Sequence, residues 1–223
     1  MVSKPSPLPA RLVPGGLSAG RTFTPRQERL LDELEAIVLE QGFGTLTVAS
    51  LATQLRCSRR TLYEVAPSKE ELVLLVLDRV LHRVGRAAHA AAQAQTRSIE
   101  RIREFLLRGL GELGAVTVRF ADDTAGAPDV QALVAAHFHV AALAVAGMIE
   151  DGQRAGELAD FNATLIAHAL QASAESLLDP AVLRASKTTY AGALEELMEL
   201  VARGLQISDS AAPPAARAAR RRP

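Results

Sequence analysis

Apolar residues recur at helical spacing through most of the chain, and no stretch shows the strict alternation of a strand. The first helix has a defined start, because Thr24 stands at an N-cap, Pro25 at the first helical position, and Gln27 three residues after the cap. Leu30, Leu34, Ile37 and Val38 then share one face, and Gly42 supplies the stop. A two-turn helix opens at Thr47, with Leu51, Ala52 and Leu55 pointing one way. A second short helix begins after Ser58 and ends before Pro67. Ser68 and Glu71 then form the signature of a capping box for a long helix over 70–94, with Leu72, Val76, Val80 and Val84 on its buried stripe. Beyond residue 96 the pattern predicts helices over 98–120, 128–154, 160–178 and 187–206. Turn signals lie near Gly114, Ala125 to Pro128, Gly152 to Gly156, and Asp179-Pro180. The expectation is an all-α chain.

Composition supports helices. Hydrophobic residues make up 48% and aromatic residues only 4%, without Trp, so the core must be built from Leu, Val and Ala, which pack closely between helices. The ends differ: residues 1–20 are rich in Pro and Gly, residues 208–223 in Ala, Pro and Arg, and both read as disordered arms. The formal charge is zero but unevenly spread, with a net +3 over residues 1–96, −6 over 97–206 and +3 over 207–223. A basic head suits a polyanionic partner, though exposed charge also serves plain solvation. The lone cysteine, Cys57, cannot form an internal bridge, and the N-terminal residues lack a signal-peptide pattern, so a cytoplasmic location is expected. Val130 to Ile149 runs twenty residues without a formal charge. Its Gln131, His137 and His139, and its Ala-rich rather than Leu-rich make-up, favour a buried helix of a soluble protein over a membrane span.

Two short helices joined by a tight turn, the second beginning Ser58-Arg59-Arg60-Thr61, form a helix-turn-helix pattern, whose second helix enters the major groove. Arg59 and Arg60 can fork onto guanine or a phosphate, Thr61 can meet a thymine methyl, and Tyr63 offers a ring and a hydroxyl. Backbone amides at Thr47 and Ser68, with Lys69 beside the latter, suit phosphate oxygens.

The run Gly44-Thr45-Leu46-Thr47-Val48-Ala49-Ser50-Leu51-Ala52, then Cys57-Ser58-Arg59-Arg60-Thr61-Leu62-Tyr63, then Pro67-Ser68-Lys69-Glu70-Glu71-Leu72 resembles the N-terminal domain of TetR-family transcriptional regulators. The resemblance covers about residues 24–90. It implies a DNA-binding domain over 21–69, a helical effector-binding and dimerisation domain over 70–207, a palindromic double-stranded operator, a homodimer, and repression relieved by a small apolar effector. Two departures lie in the DNA-reading element. Arg56 stands where the family usually has Gly, and a non-Gly residue in a left-handed turn costs about 1 kcal/mol. Glu64-Val65-Ala66 replaces a basic or polar residue and aromatics, and Glu64 near phosphates would repel them. That substitution motivates an alternative reading, a helical dimer of the same fold that binds DNA weakly and acts mainly through a protein partner.

For the effector, the resemblance implies a pocket in the C-terminal helices. The helix over 128–154 is apolar all round and should be central. Its His137, Phe138, His139 and Met148, joined by Phe105, Phe120 and His168, are the candidate pocket residues. His137 and His139 diverge on a helix and cannot by themselves pair on a metal. For the dimer, Leu194, Leu197, Met198 and Val201 form a stripe of the final helix, and Ala163, Ala167, Leu170 and Ala174 give the preceding helix a small-residue face. Internal packing would produce the same stripes. No phosphate loop, cysteine cluster, His-Glu-x-x-His or acid/base pair in a recognisable context is visible, so neither catalysis nor a cofactor or metal is expected.

Overall fold

The computed structural model describes residue 17 and residues 21–111, 118–177 and 179–205. Both expected terminal arms, apart from Leu17, lie outside these residues. Among the described residues every regular element is a helix: α1 (Pro25–Gln41), α2 (Val48–Gln54), α3 (Arg59–Val65), α4 (Lys69–Gln93), α5 (Ser98–Gly111), α6 (Val118–Ala125), α7 (Pro128–Arg154), α8 (Ala163–Ser176), α9 (Pro180–Ser186) and α10 (Tyr190–Leu205).

The helix starts follow from side chains that satisfy otherwise unpaired backbone amides. Thr24 and Gln27 form a reciprocal capping box, with Pro25 in the first turn, and Gly42 ends α1 at φ 74°. Thr47 caps α2 through a second reciprocal box with Ser50. Ser58 caps α3 by accepting from the Thr61 amide at 3.1 Å. Ser68 accepts from the Glu71 amide at 3.1 Å, which is the serine half of the box the sequence suggests. Between α2 and α3 Arg56 adopts φ 49°, the left-handed turn that glycine normally supplies, and the Cys57 amide closes that turn onto Ala52 O at 3.0 Å.

Two expectations change. The segment over 98–120 is not one described helix: α5 ends at Gly111 and α6 begins at Val118, with 112–117 outside the described residues. Asp179-Pro180 is a helix start as well as a break. Asp179 accepts from the Ala181 amide at 2.7 Å and Pro180 takes the first position of α9, which ends at Lys187 in a left-handed conformation (φ 53°) before α10.

Two hydrophobic cores form, and α4 runs through both. The first joins α1, α2 and α3 to Leu72–Leu77 of α4, with Phe120 of α6 and Val130 and Leu133 of α7. The second gathers Ala88 and Ala92 of α4 with α5, the rest of α7, α8 and α10. The division the sequence suggests, at residues 69 and 70, therefore falls inside the first core's packing. Ion pairs reinforce the joint: Arg79 meets Glu28 at 2.7 Å and Asp32 at 3.0 Å, and Arg83 meets Glu35 at 2.5 Å. The α7 helix has the length and hydropathy of a membrane span, and here it packs against α4, α5, α6 and α8.

Candidate nucleic-acid interface and ligand cavity

The α3 helix is amphipathic over only two turns. Leu62 and Val65 are buried, while Ser58, Arg59, Arg60, Tyr63 and Glu64 are exposed and Thr61 is half-buried. Tyr63, at 49% exposure, is among the few large apolar side chains left open on this domain, which distinguishes it from a packing residue. Its neighbours differ in what they already hold. Among the described residues Arg59 has no ion-pair partner, whereas Arg60 Nε donates to Glu64 Oε1 at 3.2 Å. Ser58 and Thr61 hydroxyls are 2.9 Å apart, so part of their polarity is used in the cap. Thr47 is exposed and likewise occupied in its cap. Lys69 donates to Phe43 O at 3.3 Å and thus braces the α1–α2 turn. Cys57 is half-buried, and burial pushes its thiol up.

Sequence reasoning missed two residues here. Arg21 donates to Val65 O at the end of α3 and lies over the Phe23 ring, 5.0 Å from its centre, so the residues preceding α1 hold the end of α3. Asp123 of α6 accepts from two backbone amides of the α1–α2 turn, Phe43 at 2.6 Å and Gly44 at 2.8 Å. The absence of a side chain at Gly44 makes room for this contact: a Cβ would stand 2.4 Å from Asp123 Oδ1. No local pattern reveals a bond between residues 80 positions apart.

Between α4, α5, α7 and α8 lies an open-mouthed cavity of about 710 Å³, a size that suits a small-molecule ligand. Of the candidate pocket residues, Phe105, His137 and Phe138 line it. The others do not, for distinct reasons. Phe120 packs edge-on against Phe43, with ring centres 5.6 Å apart, in the first core. Met148 is buried beyond the cavity wall. His139 and His168 are exposed and stack on each other at 6.0 Å across the outside of α7 and α8. The residues sequence reasoning missed are those of α4, chiefly His82, Arg86 and His89.

His137 gives its Nδ1 to Leu133 O at 2.9 Å, and its Nε2 is 3.6 Å from the fully buried Asp78 carboxylate. Burial is the largest influence and pushes the imidazole below its ordinary value, ahead of the backbone bond and Asp78, which act oppositely. The unfolded chain therefore binds a proton here more readily than the folded one. Stability contributed by neutral His137 is present above about pH 6.5 and declines as pH falls through that value. Thermal melts between pH 7.5 and 5 are expected to show a loss that His137→Gln reduces; an identical loss in the variant would refute the assignment.

The small-residue stripe proposed for the dimer lies inside the subunit. Ala163, Ala167, Leu170 and Ala174 are buried against α7, and the last three line the cavity. Leu194 and Met198 are buried too, facing the second core, while Leu197 and Val201 are half-buried at its edge. Periodicity identified an apolar face correctly, but the chain's own helices cover it. The apolar surface left open is elsewhere, at Leu143 of α7, Phe161, Leu165 of α8 and Leu200 of α10, the last two at 65% and 68% exposure.

No family model and no curated protein matches this sequence. Solved structures do. Reduced NemR from E. coli superposes with a TM-score of 0.68 at 15% identity, covering 84% of this chain and 100% of that one. A TetR-family regulator from Agrobacterium tumefaciens gives 0.64 at 14% identity, over 82% and 98%. A putative transcriptional regulator from Saccharomonospora viridis in complex with choline gives 0.65 at 17%, over 82% and 98%. The resemblance carried by residues 24–90 thus extends through the C-terminal helices: this chain has the all-α fold of TetR-family transcriptional regulators.

Proposed function

We propose that the chain is a cytoplasmic, non-enzymatic transcriptional regulator that binds a palindromic DNA operator as a homodimer and is released by a small apolar effector. The observation that carries this is the outward face of α3, where Arg59, Arg60 and Tyr63 project from a capped helix anchored by buried Leu62 and held at its far end by Arg21. The cavity supports the effector. The S. viridis structure holds choline, which makes a small-molecule ligand reasonable in this fold.

A dimer is needed because one recognition helix reads too few bases, and two must stand about 34 Å apart to enter adjacent major grooves. The exposed leucines supply a face for it. Leu205 O accepts from the Ala159 amide at 3.2 Å, and Tyr190, at the other end of α10, feels the charge of Glu175 near the end of α8. The two helices therefore run antiparallel, which sets Leu165 and Leu200 toward one end. The double variant Leu165→Glu, Leu200→Glu is expected to sediment as a monomer where the parent is a dimer. A dimeric variant would place the interface elsewhere.

Genome-wide DNA capture followed by gel shift tests the main reading. Specific retardation is expected, weakening about 10³-fold or more between 50 and 200 mM salt as phosphate counterions return. No retardation at 50 mM would sink it. The alternative, action mainly through a protein partner, draws on the Arg60–Glu64 pair, which neutralises half the basic charge on α3. If that pair restrains DNA binding, Glu64→Gln should raise operator affinity about three- to tenfold and steepen the salt dependence by about one phosphate per subunit. Unchanged affinity and slope would mean that Arg60 does not reach DNA.

A further inference from the structure

The cavity mouth has two unlike lips. Along α4, His82, Arg86, His89 and Gln93 succeed one another at steps of four, three and four, so they share one face; all four are exposed and all line the opening. Across from them stand Val140, Ala141 and Ala174. Inward, the wall is mostly hydrocarbon, from Val84, Phe105, Phe138, Val145 and Leu170 among others, with His137 and Gln171 as its polar groups. No Asp or Glu is among the lining residues.

The α4 arginines show why this lip stays basic. Arg79 and Arg83 are held by carboxylates of α1. Arg86, three residues further, lies at the cavity and has no ion-pair partner among the described residues. The ring of His89 is fixed beside it, with Nδ1 on Gly85 O at 3.0 Å and its edge on Phe105 at 5.0 Å. One permanent cation and two imidazoles thus edge a largely hydrocarbon chamber that holds no carboxylate to pair with a positive charge.

We propose that the cavity takes an amphipathic monocarboxylate, with its hydrocarbon part inside and its carboxylate at the mouth on the Arg86 guanidinium, between His82 and His89. This deepens the effector reading by giving the apolar effector a charged head, and rests on this cavity being the effector site. The arrangement avoids drawing a carboxylate into hydrocarbon, where its lost hydration would go uncompensated, and matches it to the planar donor fork of arginine. Tail burial supplies affinity, and the head supplies discrimination. An alcohol of equal length keeps the first and lacks the second. An ammonium meets Arg86 as a like charge.

Calorimetric titration of the full-length protein with decanoate, decanol and decylammonium at pH 7 separates these terms. Decanoate is expected to bind at least tenfold more tightly than decanol, and decylammonium more weakly than either. Arg86→Gln, at an exposed position, should erase the decanoate advantage while leaving decanol binding within twofold. Ala141→Phe, which narrows the mouth, should weaken all three. Equal binding of decanoate and decanol, a preference that survives Arg86→Gln, binding unaffected by Ala141→Phe, or no binding of any probe would each overturn the proposal. A gel shift with saturating decanoate distinguishes it from the regulator reading. Head-group selectivity that depends on Arg86, without any change in operator affinity, upholds the carboxylate site and removes effector-controlled release.

Discussion

Arg59→Ala is expected to reduce operator affinity by at least about thirtyfold. A bidentate arginine contact to a base contributes about 1–3 kcal/mol, and the dimer loses it twice, for about 2–6 kcal/mol. Folding should not suffer. Arg59 is exposed, holds no ion pair among the described residues, and sits in the first turn of α3, where a positive side chain opposes the helix dipole. Thermal melts should therefore match or slightly exceed those of the parent. Arg59→Lys refines the reading. If the guanidinium meets a phosphate, lysine keeps most of the affinity; if it forks onto a base, lysine loses affinity for the operator while non-specific binding persists. Gel shifts on operator and scrambled duplexes measure both. An Arg59→Ala protein that retains operator affinity within threefold would refute a DNA-reading role for the start of α3.

The parts of this fold that were legible in the sequence are those written by local chemistry. Thr24, Thr47, Ser58 and Ser68 each accept from an amide three residues on, a bond that needs only its own helix to form, and each was readable as a cap. The left-handed turn at Arg56 was legible only through the resemblance, which places Arg56 where the family usually has Gly. What periodicity could not say is which neighbour covers an apolar face. Ala163, Ala167, Leu170 and Ala174 form a real stripe, yet its partner is α7 of the same subunit and the cavity beside it. Phe120 is a real core residue of the other core. His139 and His168 do converge, but on the outer surface. The basic lip of α4 was not legible because His82, Arg86 and His89 meet the α7 residues only through tertiary packing, which periodicity does not record. Long-range hydrogen bonds left no trace at all.

The most consequential of those bonds predicts a separation of binding from control. Asp123→Ala is expected to leave operator affinity within about threefold while reducing effector-induced release from the tenfold range or more to less than threefold. The α6 helix follows α5, whose Phe105 and Leu106 wall the cavity, and it grips the α1–α2 turn through the Asp123 carboxylate and the Phe120–Phe43 ring contact. On the regulator reading, a ligand that shifts α5 or α7 would move α6, and these two charge-assisted bonds would convey that movement to the helix-turn-helix. The first core and the Arg79 and Arg83 ion pairs hold the domain in place without them. Losing both bonds should cost about 2–4 kcal/mol of stability, visible as a lower melting temperature. Gly44→Ala provides the same test from the other side, since its Cβ would fall 2.4 Å from Asp123 Oδ1 and expel the carboxylate. Both variants should bind operator yet ignore effector. If either one responds to effector as the parent does, the signal travels along α4 alone, through the α1–α4 ion pairs, and the α6 clamp serves only to hold the turn.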